Sequence, residues 1–221
     1  VKLMTKPTIA YCGMTHLGLN SAVACAERVF ETICFDPNAD LIAQLNQGKL
    51  PVVEPDLDDM LGRNRDHVTF TADTKDLERC DVVYVAPDIP TDDQGQSDLG
   101  AIHAILDIVE PALRDDAVLV VLSQVNPGFT RARGRAKGPL IYQVETLIFG
   151  RAIERAMYPE RYIIGCEKPS QPLPAALQTY LEAYDCPILP MRYESAELAK
   201  ISINMCLVAS IGVANTMAEV C

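Results

Sequence analysis

Two glycines lie where a strand-forming run of the sequence passes into a helix-forming run. Thr8–Cys12 predicts a strand, Gly13 and Gly18 follow it, and Leu17–Val29 has the apolar spacing of a helix. In a dinucleotide-binding turn, the first glycine makes the tight bend and the last lets helix and strand pack closely, while the phosphates meet free N–H groups at the helix N-terminus. Two glycines five residues apart also fit an ordinary turn, so the pattern needs support from elsewhere.

Asp36 supplies that support. It ends a second predicted strand, Thr32–Asp36, and lies 23 residues after Gly13, where a carboxylate accepts hydrogen bonds from the adenosine ribose hydroxyls. The alternative is a plain turn aspartate before Pro37. Because an acid here repels the 2′-phosphate of NADP, the combination predicts a site for NAD.

The rest of the chain alternates predicted strands with predicted helices. We predict helices over 38–47, 56–62, 98–113 and 174–184, and strands over 68–71, 81–86, 117–122, 140–144, 162–164 and 187–189. This alternation predicts parallel pairing through right-handed crossovers. Val118–Leu122 is apolar at every position, as in a strand that is covered on both faces. The predicted fold class is therefore α/β, with a doubly wound parallel sheet.

Composition and charge argue against several functional classes. The chain has 221 residues, 49% of them hydrophobic, with a net charge of −11 and a pI near 4.7. An acidic surface repels phosphate backbones and anionic lipids, which argues against nucleic-acid and membrane binding. The eight cysteines include no C-x-x-C pair and the three histidines are scattered, so we predict no metal site. Since residues 1–8 lack a signal-peptide pattern, we expect a reduced, cytoplasmic protein.

The last predicted helix begins at Ser195 and is apolar on most faces, with no charge over residues 201–218. Its length alone allows a membrane span, but the polar residues scattered through it favour a helix buried between domains or across a dimer interface. No glycine, proline or basic last turn ends the helix. We therefore expect the sequence to be the front part of a longer protein, and the protein to be a homodimer through this helix.

A basic cluster follows Pro127 and Gly128, and consists of Arg131, Arg133, Arg135 and Lys137. A nucleic-acid patch is one interpretation, but the acidic balance of the whole chain argues against it. We expect instead a solvated helix face, near a phosphate or an acidic partner.

Several short motifs occur in a fixed order along the chain. The most specific is the block from Asp36 to Leu57, which is similar to the pattern D-x-N…L-N-x-G…P-x-x-E-P-G-L. Other stretches are Thr71–Asp73, Cys80–Ala86, Asp92–Gly95 with Asp98 and Leu99, Ser123–Val125 with Gly128, Glu145–Leu147 with Gly150, and Ala196–Lys200 with Asn204. Together they cover essentially the whole chain and resemble the N-terminal half of the UDP-glucose/GDP-mannose dehydrogenases.

Members of that family are NAD-dependent enzymes that oxidise a nucleotide-sugar alcohol to a uronic acid through two hydride transfers. The resemblance implies NAD as cofactor and a nucleotide sugar as substrate. It assigns cofactor contacts to Gly13, Thr15, His16, Leu17, Gly18, Asp36, Ala86, Ser123 and Gln124. Of these, Ser123 and Gln124 end a core strand, where sheets of this kind bind ligands.

Three more residues receive catalytic roles through the resemblance. Glu145 corresponds to the acid implicated in acid–base chemistry and water handling during thioester hydrolysis. Lys200 and Asn204, which share one helix face, correspond to the pair that stabilises oxyanion charge beside the reacting sugar carbon. Without the resemblance, we would interpret them as a strand-end surface acid and a polar patch on a helix.

Some positions depart from the family pattern. The family's catalytic cysteine lies in a G-F-G-G-x-C segment beyond the central helix, and this sequence contains neither that segment nor the nucleotide-sugar C-terminal domain. Thr15 replaces the second glycine, Ile89 and Gln124 replace threonines, and Phe149 replaces a glutamate. These changes cluster at the cofactor and substrate, which suggests altered substrate or reduced activity.

We therefore predict an NAD-binding domain over residues 1–192, followed over 193–221 by the start of a central helix. The predicted function is the cofactor half of an NAD-dependent nucleotide-sugar 6-dehydrogenase, acting on UDP-glucose or a similar substrate and inactive by itself. Two alternatives stay open: a regulatory or binding module that has lost its chemistry, and another Rossmann dehydrogenase of the 2-hydroxy-acid or 6-phosphogluconate type.

Overall fold

The computed structural model describes residues 6–92, 94 and 96–221. Val1–Thr5 lies outside the described residues, as do Asp93 and Gly95 of one predicted motif. The described strands are β1 (Ile9–Cys12), β2 (Thr32–Phe35), β3 (Val68–Thr71), β4 (Val82–Val85), β5 (Val118–Val121), β6 (Leu140–Gln143), β7 (Tyr162–Cys166) and β8 (Ile188–Arg192). The described α-helices are α1 (His16–Glu27), α2 (Ala39–Asn46), α3 (Leu57–Arg63), α4 (Gly100–Val109), α5 (Phe129–Arg133), α6 (Ala152–Met157), α7 (Ala175–Glu182) and α8 (Tyr193–Val220). Short 3-10 helices cover Arg65–His67, Thr74–Arg79 and Glu110–Ala112.

One eight-stranded sheet runs through the molecule in the order β3-β2-β1-β4-β5-β6-β7-β8. Strand β1 pairs in parallel with β2 on one side and with β4 on the other. The chain continues outward in opposite directions from these two central strands, so their carboxyl ends flank a topological switch point. Every residue of β1, β2, β4 and β5 is buried, because helices cover both faces. The doubly wound α/β prediction is confirmed.

Strand β7 runs opposite to β6, so the prediction of parallel pairing throughout is wrong. Tyr142 pairs with Gly165 and Gln143 with Ile164 in antiparallel register. The helix in this connection is α6, whose six residues span about 9 Å. Helix length alone does not explain this direction, because the β5–β6 connection contains only the five-residue helix α5 and is parallel. Strand β8 is parallel to β7.

Most predicted elements occur within a few residues of their predicted bounds. The helix predicted over 98–113 is shorter, since α4 ends at Val109 and the 3-10 turn after it contains Pro111, which has no N–H for a helical hydrogen bond. The predicted elements do not include α6, because six residues show no helical period. A helix was expected at the basic cluster, where α5 covers only Phe129–Arg133. Helix α8 begins at Tyr193 rather than at Ser195.

The core has two halves, one on each face of the sheet. Helix α1 buries Leu19 and Val23 on one face, and α4 buries Ile102 and Leu106 on the other. Free thiols belong to this core: the buried cysteines are Cys12, Cys25, Cys34, Cys80 and Cys166. Burial raises the pKa of Cys25 to about 12. This thiol therefore stays protonated and packs as a small apolar group, as the sequence predicts.

The first two turns of α8 pack on the sheet, and the rest of the helix is exposed. Tyr193, Ala196, Glu197 and Lys200 are buried, whereas all residues from 203 onward are exposed. By length and composition α8 could cross a membrane, with an 18-residue window of mean hydropathy 1.5 that is 0% buried. One such helix is weak evidence for a span, because apolar helices of soluble proteins meet the same criteria.

The basic cluster does not form one helix face, which corrects the prediction. Helix α5 ends at Arg133, and Gly134 follows with a φ of +56°. The basic side chains pair within the chain, with partners Glu194, Asp107, Glu110, Asp115 and the carbonyl groups of Ala117 and Pro139. The acidic partners of this cluster are therefore residues of the same chain.

Candidate functional site

The glycine-rich turn lies at the carboxyl end of β1, beside the end of β4. Gly13 has a φ of +98°, a conformation that residues with a side chain rarely adopt. A Cβ atom on Gly18 would lie 1.9 Å from the carbonyl oxygen of Gly13, so α1 starts in direct contact with the turn. The first N–H groups of α1 have no partner within the helix. They lie at the carboxyl ends of β1 and β4, next to the turn. This cradle fits a diphosphate.

Asp36 lies beside the turn, at the end of β2, and is almost fully buried. Its carboxylate accepts hydrogen bonds from the N–H of Met14 at 2.8 Å and from the N–H of Asn38 at 2.9 Å. Each carboxylate oxygen has two lone pairs, so both oxygens keep the capacity to accept a ribose hydroxyl. The residues present therefore fit a dinucleotide with an unphosphorylated adenosine ribose.

Other predicted cofactor residues tie the ends of β1, β4 and β5 together. Thr15 Oγ1 donates to the carbonyl oxygen of Ala86 at 3.1 Å, and Ser123 Oγ donates to that of Pro87 at 2.5 Å. The side chain of Leu17 belongs to the core, and its backbone N–H, in the first turn of α1, has no partner within the helix. The hydrogen bonds of Thr15 and Ser123 hold the ends of the three strands in fixed positions beneath the glycine-rich turn.

Glu54 is a buried side chain to which sequence analysis assigned no role. One of its oxygens lies 2.7 Å from Nε2 of His16, the first residue of α1. The carboxylate also accepts from the N–H groups of Gly150 at 2.9 Å and Ala152 at 3.3 Å. Glu54 thus joins the start of α1 to the loop after β6 (residues 144–151). Its place in the P-x-x-E-P motif was the signal that could have identified it.

Glu54→Gln is expected to destabilise the protein in a pH-dependent way. Burial raises the pKa of Glu54, but the hydrogen bonds from His16, Gly150 and Ala152 outweigh burial and bring the pKa below its ordinary value of 4.5. The carboxylate therefore stabilises the fold fully above about pH 4.5 and loses this contribution as the pH falls through the lowered pKa. Thermal unfolding should show a loss of about 2 kcal/mol at neutral pH that shrinks as the solution is acidified.

The control for this substitution is Glu31→Gln. It removes an exposed carboxylate that directly precedes β2, at the amino ends of the central strands. We expect it to leave stability unchanged within about 0.5 kcal/mol. A stability difference for Glu54→Gln that stayed constant from neutral to strongly acidic pH would contradict the role assigned to the carboxylate.

The three predicted catalytic residues meet at the carboxyl edge of the sheet. Lys200 Nζ lies 2.8 Å from Glu145 Oε2, and their side chains are only 11% and 14% exposed. Asn204, one turn further along α8, donates its amide N–H to Gln124 Oε1 at 3.1 Å. A cation, an amide donor and an acid therefore lie side by side. This arrangement can stabilise negative charge on a substrate oxygen and can handle a proton.

Glu197 holds α8 in the position that this arrangement requires. Its side chain is fully buried, and its two oxygens accept from the N–H groups of Gly128 at 2.6 Å and Thr130 at 2.9 Å. Lys200 follows Glu197 by about one helical turn, so these bonds fix the height of Lys200 above the sheet. The sequence motif includes Glu197, but its role depends on this tertiary contact.

A cavity of about 560 Å³ opens beside these residues. The loop after β6 forms one wall, and Lys200 and Asn204 contribute to another. Arg155 and Arg161, which no sequence motif marks, also line it and share Glu160 as a partner at 3.0 and 3.4 Å. In both ion pairs only Nη1 of the arginine contacts Glu160, and the other guanidinium N–H donors can bind a phosphate.

Phe149 lies between this cavity and the glycine-rich turn. It lines the cavity, and its ring packs on the ring of His16 with 4.2 Å between the centroids, although the residue is 81% exposed. At the position where the family pattern has a glutamate, this chain therefore has an apolar contact between the cofactor side and the substrate side.

The sheet order, the glycine-rich turn and the acid after β2 define a dinucleotide-binding domain of the doubly wound class. The chain belongs to the UDP-glucose/GDP-mannose dehydrogenase family, since residues 7–183 match the model of the family's NAD binding domain. The resemblance stated from the motifs is confirmed, and so is NAD as the cofactor.

Named relatives are similar over nearly the whole chain. The UDP-glucose 6-dehydrogenase TuaD of Bacillus subtilis is 28% identical, with 96% of this chain and 48% of that protein covered. The UDP-glucose 6-dehydrogenase of Rickettsia typhi is also 28% identical, with 96% and 51% covered. The chain thus spans about half the length of these curated relatives.

Solved structures show the same extent of similarity. The UDP-glucose dehydrogenase of the archaeon Pyrobaculum islandicum has a TM-score of 0.87 at 26% identity, with 98% of this chain and 53% of that chain covered. The GDP-mannose dehydrogenase of Pseudomonas aeruginosa, solved as a ternary complex, has a TM-score of 0.83 at 26% identity, with 94% and 51% covered.

Proposed function

We propose that this chain is the cofactor-binding part of an NAD-dependent dehydrogenase that oxidises a nucleotide sugar, UDP-glucose or a similar compound, at C6 to the uronic acid. The observation that carries the proposal is the 2.8 Å contact between Lys200 and Glu145. This contact lies beside Asn204, at the sheet edge that also holds the glycine-rich turn. When bound, NAD would supply the acceptor for the hydride that leaves the alcohol carbon.

Each residue has a role that matches its chemistry. Gly13, Gly18 and Asp36 hold the adenosine and diphosphate portions of the dinucleotide. Lys200 and Asn204 donate N–H groups to the oxygen of the reacting sugar carbon as negative charge develops there. Glu145 accepts a proton and positions water for hydrolysis. Arg155 and Arg161 bind the diphosphate of the sugar nucleotide through the paired N–H donors of their guanidinium groups.

Calorimetric titration of this chain with NAD and NADP tests the cofactor half of the proposal. We expect weak binding of NAD and about tenfold weaker binding of NADP, because the Asp36 carboxylate repels the 2′-phosphate. Asp36→Asn keeps the size of the side chain and should narrow the difference between the two cofactors. Preference for NADP contradicts the proposal, and absence of NAD binding favours a module that has lost its chemistry.

The same chain should form no NADH from UDP-glucose or GDP-mannose. The G-F-G-G-x-C segment that carries the family's nucleophilic cysteine does not occur in this sequence. Appreciable NADH formation, followed by absorbance, would overturn the inference that this half is inactive alone.

We also propose that the exposed part of α8 pairs with a second copy in a homodimer. Leu207, Val208 and Ile211 are 60%, 69% and 51% exposed, and an exposed apolar face of this kind marks an interaction site. Sedimentation should show a dimer, and Ile211→Glu should shift it toward monomer. Binding to lipid vesicles in place of dimerisation would contradict this proposal.

The free thiols support a cytoplasmic location, where they stay reduced.

A further inference from the structure

A second carboxylate lies at the glycine-rich turn, and it has no part in the function proposed above. Asp88 follows β4, and its Oδ2 accepts a hydrogen bond from the backbone N–H of His16 at 3.2 Å. His16 is the first residue of α1. A negative charge is stabilised at this end of a helix. The diphosphate of a bound dinucleotide requires the same N–H groups.

The two acids at the turn have different consequences for a ligand. Asp36 is buried, contacts the N–H of Met14 and faces the ribose position, where it accepts hydroxyl protons. Asp88 is exposed and occupies a donor that a phosphate oxygen needs. The first acid therefore favours the dinucleotide, and the second competes with it.

The backbone before Asp88 cannot move far from the turn. Ala86 donates its N–H to the carbonyl of Cys12 at 2.9 Å and accepts the hydroxyl of Thr15 at 3.1 Å. The next carbonyl, that of Pro87, accepts the hydroxyl of Ser123. Rotation of the Asp88 side chain can free the His16 N–H, but the carboxylate remains a close neighbour of the bound phosphates. Repulsion therefore persists after the hydrogen bond has been broken.

We propose that Asp88 is an internal competitor for the diphosphate of NAD and keeps the affinity of this chain for its cofactor low. The inference rests on the proposed function, because it assumes that the cradle binds NAD. Asparagine at this position keeps an oxygen that can accept from the His16 N–H but carries no charge. Loss of the repulsion should therefore tighten binding about tenfold, which is about 1.4 kcal/mol.

Calorimetry on the wild type and on Asp88→Asn, with NAD, ADP and adenosine as separate ligands, tests the inference. Asp88→Asn should bind NAD and ADP about tenfold more tightly, while its affinity for adenosine, which has no phosphate, should stay within about twofold of the wild type. The gain for NAD should shrink as salt is raised, because salt screens the repulsion between exposed charges.

Two controls separate the local effect from a change in net charge. Asp88→Glu keeps the carboxylate and should bind NAD within about threefold of the wild type. Glu31→Gln removes one negative charge at the amino ends of the central strands, away from the glycine-rich turn, and should leave the affinity for NAD unchanged.

Each remaining outcome overturns the inference. Equal affinity of the wild type and Asp88→Asn for NAD overturns it and leaves the proposed function standing. An equal gain in affinity for adenosine also overturns the inference. Adenosine has no phosphate, so such a gain would come from a changed loop and not from the charge that faces the diphosphate. Absence of NAD binding in both proteins overturns the inference and the proposed function together.

Discussion

Lys200→Met is expected to lower the free energy of unfolding by about 3 kcal/mol, or roughly 6–12 °C in melting temperature for a chain of this size. The Lys200 and Glu145 side chains are mostly buried, and their charged atoms are 2.8 Å apart. Methionine keeps the apolar stem of lysine, but it leaves the Glu145 carboxylate without its cation. An unpaired charge in such a place costs more than the intact pair contributes.

A double-mutant cycle measures this coupling. Thermal unfolding is followed for the wild type, Lys200→Met, Glu145→Gln and the double variant. The double variant leaves neither charge unpaired, so it should recover most of the loss and unfold within about 1 kcal/mol of the wild type. Losses that simply add would show that the two side chains are not coupled.

In the nucleotide-sugar dehydrogenase proposed above, the same lysine substitution should reduce kcat about 10²- to 10³-fold, because it removes the donor proposed to act on the developing oxyanion. The KM for NAD should stay nearly unchanged, since Lys200 lines the cavity beside the loop after β6 and does not lie at the glycine-rich turn. Initial rates of NADH formation give both constants. An unchanged kcat would contradict the role proposed for Lys200.

Gly18→Ala is the second substitution with a large expected effect. The added Cβ atom would lie 1.9 Å from the backbone oxygen of Gly13, so α1 must shift away from the turn. We expect a loss of about 3 kcal/mol in stability, at the upper end for overpacking. Because the phosphate-binding N–H groups move with the helix, we expect NAD to bind more than about tenfold more weakly.

The matched control is Gly62→Ala, a glycine in α3 whose added Cβ atom would meet nothing within 4 Å. There, alanine should stabilise the protein by about 1 kcal/mol through its higher helix propensity and leave NAD binding unchanged. Thermal unfolding and calorimetry on both variants check the pair. A Gly18→Ala protein with wild-type stability and affinity would show that α1 tolerates the displacement.

The cofactor residues were predictable because they depend on local structure. Gly13 and Asp36 lie on two successive strand-to-helix connections and Gly18 lies in the first turn of α1, so the spacing between them reflects the length of one such unit. Lys200 and Glu145 are 55 residues apart in the chain, and no local pattern predicts that they meet. Their association was expected only from the resemblance to the family, which covers the motifs around both residues.

The positioning residues could not be predicted in the same way. Glu54 contacts residues almost forty and a hundred positions away, and Glu197 contacts the loop after β5, nearly seventy positions away. A glutamate in a loop or on a helix looks like a surface residue until the sheet brings a backbone N–H to it. Asp88 went unnoticed for the same reason, since its contact with α1 exists only when β1 and β4 pair.

The amino-acid sequence by itself determined that this protein is a doubly wound α/β domain with a dinucleotide turn, because strand and helix periods and the glycine spacing are local properties of the chain. Only the tertiary structure decided the antiparallel direction of β7, the pairing of the basic cluster with acids of the same chain, and the meeting of Glu54 with the start of α1. Those features depend on contacts between segments far apart in sequence, which form when the sheet buries both of its faces and brings the ends of its strands to one edge.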